Sequence, residues 1–326
     1  MEYRVLGRTG VRVSQLCFGT MTLGDGADEA ESARMFQRCR EVGINFFDCA
    51  NGYADGRSET ILGNLIQSCR DDVVITSKVG FPVGSGENQS GTSRRHIFLQ
   101  VEQSLKRLKT DRIDVYFIHR YDKDTPIDEV VRALDDLVHQ GKILYPAVSN
   151  WASWQISKAL SMAAYESLAR FEVLQPMYSL VKRQAEVELL PLAQSETLGV
   201  IPYSPLGGGL LTGKYTTAQK DDQGRLVQNK MYSVRYGEQY YYETAEKFTA
   251  YAREKGQHPA TLAVAWVMSN PAVTAPIIGA RNLEQLQASL AALDVPMTPE
   301  WRAEISALSY EPPPATDRSE EQKSWR

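Results

Sequence analysis

The chain predicts a closed (β/α)8 barrel, and three observations carry that prediction. Short apolar runs alternate strictly with segments of helical spacing, the pattern of a parallel sheet with crossover helices. With a run at 14–20 taken as the first strand, the 326 residues hold eight such strand–helix pairs, which suits one barrel better than an open doubly wound sheet. No shift in composition marks a domain boundary. Residues 1–311 therefore read as a single barrel domain, and the Pro- and charge-rich stretch 312–326 as a loose tail.

Tyr3, Val5, Val11 and Val13 flank the turn Gly7-Arg8-Thr9-Gly10, a hairpin placed to plug a barrel. Leu16, Cys17 and Phe18 then run into Gly19-Thr20-Met21 as the first barrel strand. Met35, Phe36, Cys39 and Val42 lie on one helical face that Gly43 stops. Ile44 to Phe47 is strand, and Ile61, Leu62, Leu65 and Ile66 are helix. Val73 to Ser77 is strand, and Ile97, Val101, Leu105 and Leu108 are helix. Ile113 to Ile118 is strand, and Val130, Val131, Leu134, Leu137 and Val138 are helix. Ile143 to Val148 is strand, with a bulge expected where Pro146 removes a ladder donor. A helix over about 153–166, a strand at Glu172 to Leu174, a helix from Glu186 to Gln194 and a strand at Val200 to Pro202 come next. After a long segment, helices near 244–255 and 259–269 precede a last strand, Val273 to Ile278, and a helix bearing Leu283, Leu286 and Leu290.

Composition narrows the function. Apolar content of 43% and charged content of 23% are ordinary for a soluble globular protein. No apolar run reaches the roughly 18 residues of a membrane helix, and Met1-Glu2-Tyr3-Arg4 opens no signal peptide. The expectation is a cytoplasmic protein without a membrane partner. A net charge of −4, with no basic stripe, speaks against nucleic acid. The four cysteines, Cys17, Cys39, Cys49 and Cys69, form no CxxC pair and read as buried free thiols.

A (β/α)8 barrel builds its active site at the C-terminal ends of its strands. Here those ends carry Asp48, Lys78, His119, Ser149-Asn150, Gln175, Tyr203-Ser204 and Gly279. Singly, each has a plainer reading: a strand-end histidine is often structural, and a buried Asp–Lys pair is often an ion pair. Titratable groups converging on one rim favour catalysis. Just past Asp48, the turn Asn51-Gly52 presents Tyr53. One His with one Asp is a poor metal set, and no GxSxG nucleophile is present. Asp48 would hold Lys78 charged, and the ammonium would lower the phenol from its usual pKa near 10. Tyr53 could then give or take a proton near neutrality while His119 orients a carbonyl oxygen. Such a set protonates a carbonyl to which hydride is delivered.

No GxGxxG follows the first strand, so a Rossmann site is absent. Gly208 to Lys214 matches GxxxxGK, but Tyr215 replaces the magnesium-binding Ser or Thr. The same glycines can let backbone approach a pyrophosphate, with Lys214 as counter-charge. Gly279-Ala280-Arg281 opens a helix whose first amides suit an anion, and Arg281 suits a phosphate monoester.

Phe47-Asp48-Cys49-Ala50-Asn51-Gly52-Tyr53, Lys78-Val79-Gly80, Phe117-Ile118-His119, Val148-Ser149-Asn150, Leu174-Gln175-Pro176, Tyr203-Ser204-Pro205-Leu206 and Ile277-Ile278-Gly279-Ala280-Arg281 follow one another in an order that resembles the aldo-keto reductases, from Tyr3 to about Leu293. The resemblance implies reduction of an aldehyde or ketone with NADPH (NADH possible). It implies Tyr53 as general acid, supported by Asp48, Lys78 and His119. Ser149, Asn150 and Gln175 would hold the nicotinamide carboxamide, and Tyr203 would stack on the ring. Ser204, Pro205, Leu206, Gly208 and Lys214 would cradle the pyrophosphate. Arg281 and Gln285 would contact the adenosine ribose and its 2′-phosphate, with Arg225 reaching the same phosphate. Thr20 and Met21 stand where the family's first strand end touches the cofactor. Ala288 and Ser289 replace the Glu-Asn pair that often grips the adenosine. A cofactor-binding, redox-sensing regulatory subunit with little turnover stays open, since some relatives use the barrel that way. Trp151 has equal claims as packing and as pocket lining. The tyrosines Tyr232, Tyr236, Tyr240, Tyr241 and Tyr242 lie in a long segment of the kind that covers ligands. Arg94 and Arg95 read as either helix surface or pocket lining.

Overall fold

The computed structural model describes residues 1–215, 226, 229–318 and 320. Strands β1 (Tyr3–Val5) and β2 (Arg12–Ser14) pair antiparallel as the hairpin. The barrel strands are β3 (Cys17–Gly19), β4 (Phe46–Asp48), β5 (Val74–Val79), β6 (Ile113–Ile118), β7 (Ile143–Ser149), β8 (Val173–Gln175), β9 (Gly199–Val200) and β10 (Ile277–Ile278). All pairings among these eight are parallel, in the order β10, β3, β4, β5, β6, β7, β8, β9. The two ends of this sheet meet. The Thr274 and Ala275 amides donate to the Val200 carbonyl at 2.8 and 3.2 Å, and the Ile277 amide to the Pro202 carbonyl at 2.9 Å. Closure of this kind leaves no bare sheet edge.

The connecting helices among the described residues are α1 (Glu29–Glu41), α2 (Arg57–Leu65), α3 (Arg94–Leu108), α4 (Ile127–His139), α5 (Ser153–Glu166), α6 (Leu189–Ser195), α7 (Lys230–Arg235), α8 (Gln239–Glu254), α9 (Pro259–Met268), α10 (Leu283–Leu290) and α11 (Pro299–Ser306). Several begin earlier than their apolar stripe. Helix α1 starts at an Asp28 cap whose side chain accepts from the Glu31 amide, in a polar first turn that carries no apolar period. Helix α4 shows the governing pattern: Ile127, Val130, Val131, Leu134 and Leu137 are buried at spacings of three and four. No helix of the described residues is long and apolar enough to cross a membrane.

The core has two parts. One cluster fills the barrel interior with Phe46, Val115, Phe117, Ala147, Val173, Ile201 and Ile277, and the hairpin's Leu6 and Val13 belong to it. The other, larger cluster lies between strands and helices. The hairpin therefore closes the N-terminal mouth, as its sequence suggested. Gly7 makes this possible: its φ is +55°, and a Cβ would stand 2.6 Å from the Gly199 amide nitrogen.

Three local expectations change. No bulge forms at Pro146, since β7 pairs with β6 in one unbroken register. The Pro146 carbonyl accepts from the Glu172 amide, so the donor it lacks would fall opposite residue 170, before β8 begins. The last strand pairs only at Ile277–Ile278, because the Thr274 and Ala275 amides are spent on Val200. Strand β9 is likewise short, Gly199–Val200, with Pro202 offering no amide hydrogen.

Candidate functional site

Side chains on a strand alternate between faces, and this places the site. The barrel-core residues Phe46, Phe117, Ala147, Val173, Ile201 and Ile277 lie two positions before Asp48, His119, Ser149, Gln175, Tyr203 and Gly279. Lys78 stands two positions after buried Thr76 in the same way. The polar rim is thus the barrel's inward face continued by one step. Helix α2 begins just after Tyr53, which lies in a short turn, Tyr53–Gly56, whose Ala54 and Asp55 have φ of 49° and 54°.

Asp48, Tyr53, Lys78 and His119 come together. Lys78 Nζ donates to Asp48 Oδ2 at 2.7 Å, to the Cys49 carbonyl at 2.7 Å and to the Tyr53 hydroxyl at 3.4 Å. The Tyr53 and His119 rings meet edge to face with centroids 6.1 Å apart. Lys78 is fully buried and Asp48 almost so. Asp48 Oδ1 also accepts from Thr76 Oγ1 at 2.7 Å and from Gln175 Nε2 at 2.8 Å.

Burial alone would pull the Lys78 ammonium down, but Asp48 and Tyr53 hold it above its ordinary value. His119 is pushed well below the usual imidazole range by burial, with Lys78 and Arg120 adding to the effect. It is therefore neutral near pH 7. Tyr53 overturns an expectation. Burial raises its phenol, and Lys78 opposes that without prevailing. Tyr53 is half-buried, and its ammonium neighbour is already shared with a carboxylate and a carbonyl, which blunts the opposing pull. Tyr53 is held as the protonated acid, not poised between two forms.

The other half of the rim carries the residues assigned to a cofactor. Ser149 Oγ donates to the Gln175 carbonyl at 2.8 Å. Asn150 Nδ2 donates to the His119 carbonyl at 2.8 Å, and its Oδ1 accepts from the Tyr203 hydroxyl at 2.7 Å. Asn150 and Ser204 both have left-handed backbones, with φ of 58° and 59°, a strain that tends to gather at functional sites. Gly207, Gly208 and Gly209 continue in left-handed conformations, and such turns can gather amides around an anion. Pro205 is buried, Leu206 half-buried and Lys214 exposed. A Cβ at Gly209 would meet nothing nearer than 3.7 Å, and at Gly279 nothing nearer than 3.9 Å, so backbone there is open to close approach. Arg281 and Gln285 are exposed, and the Arg281 amide donates to Gln285 Oε1 at 3.1 Å. Neutral amides and a hydroxyl, an aromatic ring, a glycine turn and a cation at the far end fit a nicotinamide dinucleotide. Arg225 lies outside the described residues.

Thr20 and Met21 differ in burial at the first strand end. Thr20 is buried, and its hydroxyl donates to the Asp48 carbonyl at 3.0 Å and accepts from Ser58 Oγ at 2.9 Å. It supports the strand end from behind, while Met21 is exposed at the rim. The amide of Leu283, in the first turn of α10, already donates to Glu31 Oε1 at 2.8 Å. That helix start is thus partly filled by a carboxylate. Arg94 pairs with Asp136 on the helix surface. Trp151 lines a cavity of about 320 Å³ together with Asn150, Leu174, Pro176, Met177 and Tyr203. Of the tyrosines, Tyr232 and Tyr236 are buried and pack where a Gly208 side chain would project. The neighbouring Arg235 guanidinium lies 5.9 Å from the Tyr203 ring.

Sequence reasoning passed over Thr76, Glu59 and Arg120. Thr76 shares the inward face with Lys78, so the two-residue period pointed to it. Glu59 is fully buried and accepts from Ser77 Oγ at 2.5 Å and Arg107 Nε at 2.6 Å, tying α2 and α3 to β5. It looked like one more helical carboxylate, and nothing local set it apart.

Residues 15–309 match the model of the Aldo/keto reductase family. The chain is 39% identical over 311 residues to "Uncharacterized oxidoreductase YrpG" of Bacillus subtilis (strain 168), covering 92% of this chain and 93% of that one. It is 38% identical over 327 residues to "Probable voltage-gated potassium channel subunit beta" of Oryza sativa subsp. japonica, covering 97% and 99%. It is 33% identical over 329 residues to "Norsolorinic acid reductase B" of Dothistroma septosporum, covering 94% and 81%.

Proposed function

This chain belongs to the aldo/keto reductase family, and we propose that it reduces an aldehyde or ketone to an alcohol, with Tyr53 as the proton donor. The observation that carries this reading is the hydrogen-bonded set Asp48, Lys78 and Tyr53 beside a neutral His119. A nicotinamide cofactor, when bound, supplies hydride. Tyr53 holds the proton to be given to the carbonyl oxygen. Lys78 lies 3.4 Å from that hydroxyl and stabilises the phenolate left behind. Asp48 keeps Lys78 charged, and His119 orients the carbonyl oxygen as a neutral hydrogen-bond donor. Ser149, Asn150 and Gln175 bind the carboxamide, Tyr203 faces the ring, and the segment from Ser204 to Lys214 takes the pyrophosphate. Arg281 favours NADPH over NADH. A cytoplasmic setting accords with four free cysteines.

The test is NADPH oxidation over a panel of aldehydes and ketones, with Tyr53→Phe alongside. The variant should lose roughly 10²–10⁴-fold in kcat, the usual worth of general acid catalysis, while cofactor affinity changes little. Retained turnover would remove Tyr53 from the role. The similarity to a protein named as a potassium channel β subunit supports a second reading, a regulatory subunit that binds the cofactor. Tight NADPH binding by the wild type with no turnover of any carbonyl would favour it.

A further inference from the structure

Arg120 directly follows His119 at the C-terminal end of β6 and is half-buried. Its guanidinium carbon lies 5.1 Å from the centre of the Phe81 ring. Phe81 in turn packs edge to face against His119, with centroids 4.6 Å apart at 89°. The cation is thereby held, through Phe81, beside His119 at the rim. Its charge also reaches His119, which it helps to keep neutral.

Arg120 lacks the carboxylate partner that other cations of this chain have. Lys78 is paired with Asp48, Arg94 with Asp136 and Arg107 with Glu59. Among the described residues no carboxylate pairs with Arg120, and its buried Nε has no hydrogen-bond acceptor. The closest acid in sequence, Asp122, is engaged by the Thr92 and Asp124 amides and by the Thr92 and Thr125 hydroxyls. A guanidinium that is partly desolvated and left without an anion is costly. Its planar fork matches a carboxylate in two parallel hydrogen bonds.

We propose that Arg120 is a substrate-recognition residue and that the preferred carbonyl substrates carry a carboxylate. Phe81 presents the guanidinium, and the carboxylate docks on it while the carbonyl lies between Tyr53 and His119. This inference rests on the reductase reading and adds the substrate class to it.

The experiment compares ω-oxo carboxylates of four to six carbons with their methyl esters, which keep the shape and lose the charge. In the wild type at least one acid should exceed its ester about 10–100-fold in kcat/KM, the range of one charge-assisted contact. In Arg120→Met that acid-to-ester ratio should collapse towards one, through KM rather than kcat. Arg120→Lys, which keeps the charge without the fork, should recover part of the ratio. Wild type that reduces acids and esters equally, or a ratio unmoved in Arg120→Met, would overturn the inference and leave the reductase reading standing. If no carbonyl is turned over, succinate is the probe. A Tm rise with succinate in the wild type that Arg120→Met lacks would uphold the carboxylate site while the reductase reading falls, and no rise would remove both.

Discussion

Asp48 joins the two halves of the rim within one carboxylate. Its Oδ2 takes Lys78, and its Oδ1 takes Thr76 and Gln175, so a residue proposed for the cofactor is hydrogen-bonded directly to the carboxylate that holds Lys78. Asp48, Lys78 and His119 were legible in the chain because a polar residue ending an apolar run is conspicuous. Thr76 is marked only by its two-residue spacing from Lys78, since a β-branched threonine inside a strand otherwise reads as ordinary strand composition. The raised phenol of Tyr53 was beyond the sequence, because adjacency to a lysine says nothing of how far water is excluded. At the cofactor's far end, Arg281 is exposed and close to a helix start that already holds Glu31. With that amide occupied, the proposed 2′-phosphate contact falls to the side chain of Arg281. Arg281→Ala should therefore raise the Kd for NADPH about 10–100-fold and leave NADH within a few-fold, measured by fluorescence titration. Equal losses for both would refute a 2′-phosphate contact.

Strands are most legible in the sequence where both faces are buried. Val74–Val79 and Ile113–Ile118 are flanked by helices outside and core inside, and their apolar runs say so. Helix starts are less legible because a polar first turn shows no apolar period, and the Asp28 and Ser93 caps are the signal that marks them. Pro146 misled for a reason of position: which neighbour a missing donor faces depends on where that neighbour strand begins. The hairpin is the element whose role depends most on one residue. Gly7 has left-handed backbone and sits against the backbone of residues 172, 197 and 199. An alanine there would be strained in φ and would clash with atoms that have no side-chain freedom to yield. Gly7→Ala should therefore cost roughly 1–3 kcal/mol, read as a lower urea midpoint with unchanged m-value. An unaltered midpoint would mean the hairpin does not seal the barrel mouth.

For the whole molecule, the same burial that tunes the site links stability to pH. His119 is shifted well down by burial, and His96 is lowered by burial, with the Asn88 backbone opposing and Arg95 adding. In the unfolded chain both would titrate near 6.5. Between their folded values and about 6.5 the unfolded chain binds more protons than the folded one, so stability rises with pH across that window. The contribution is fully present above about pH 6.5 and is lost as pH falls below it. Asp122, whose carboxyl is held down by the backbone and hydroxyl donors around it despite burial, acts in the same direction but only below about pH 4. The two windows separate, and a loss of stability between pH 7 and 5 belongs chiefly to the histidines. Urea midpoints of the wild type should fall between those pH values. His119→Asn and His96→Leu should each flatten the fall, and the double variant should flatten it further, whatever each does to stability at pH 7. A double variant with the wild-type slope would place the pH dependence in other groups and would return both imidazoles to an ordinary solvated environment.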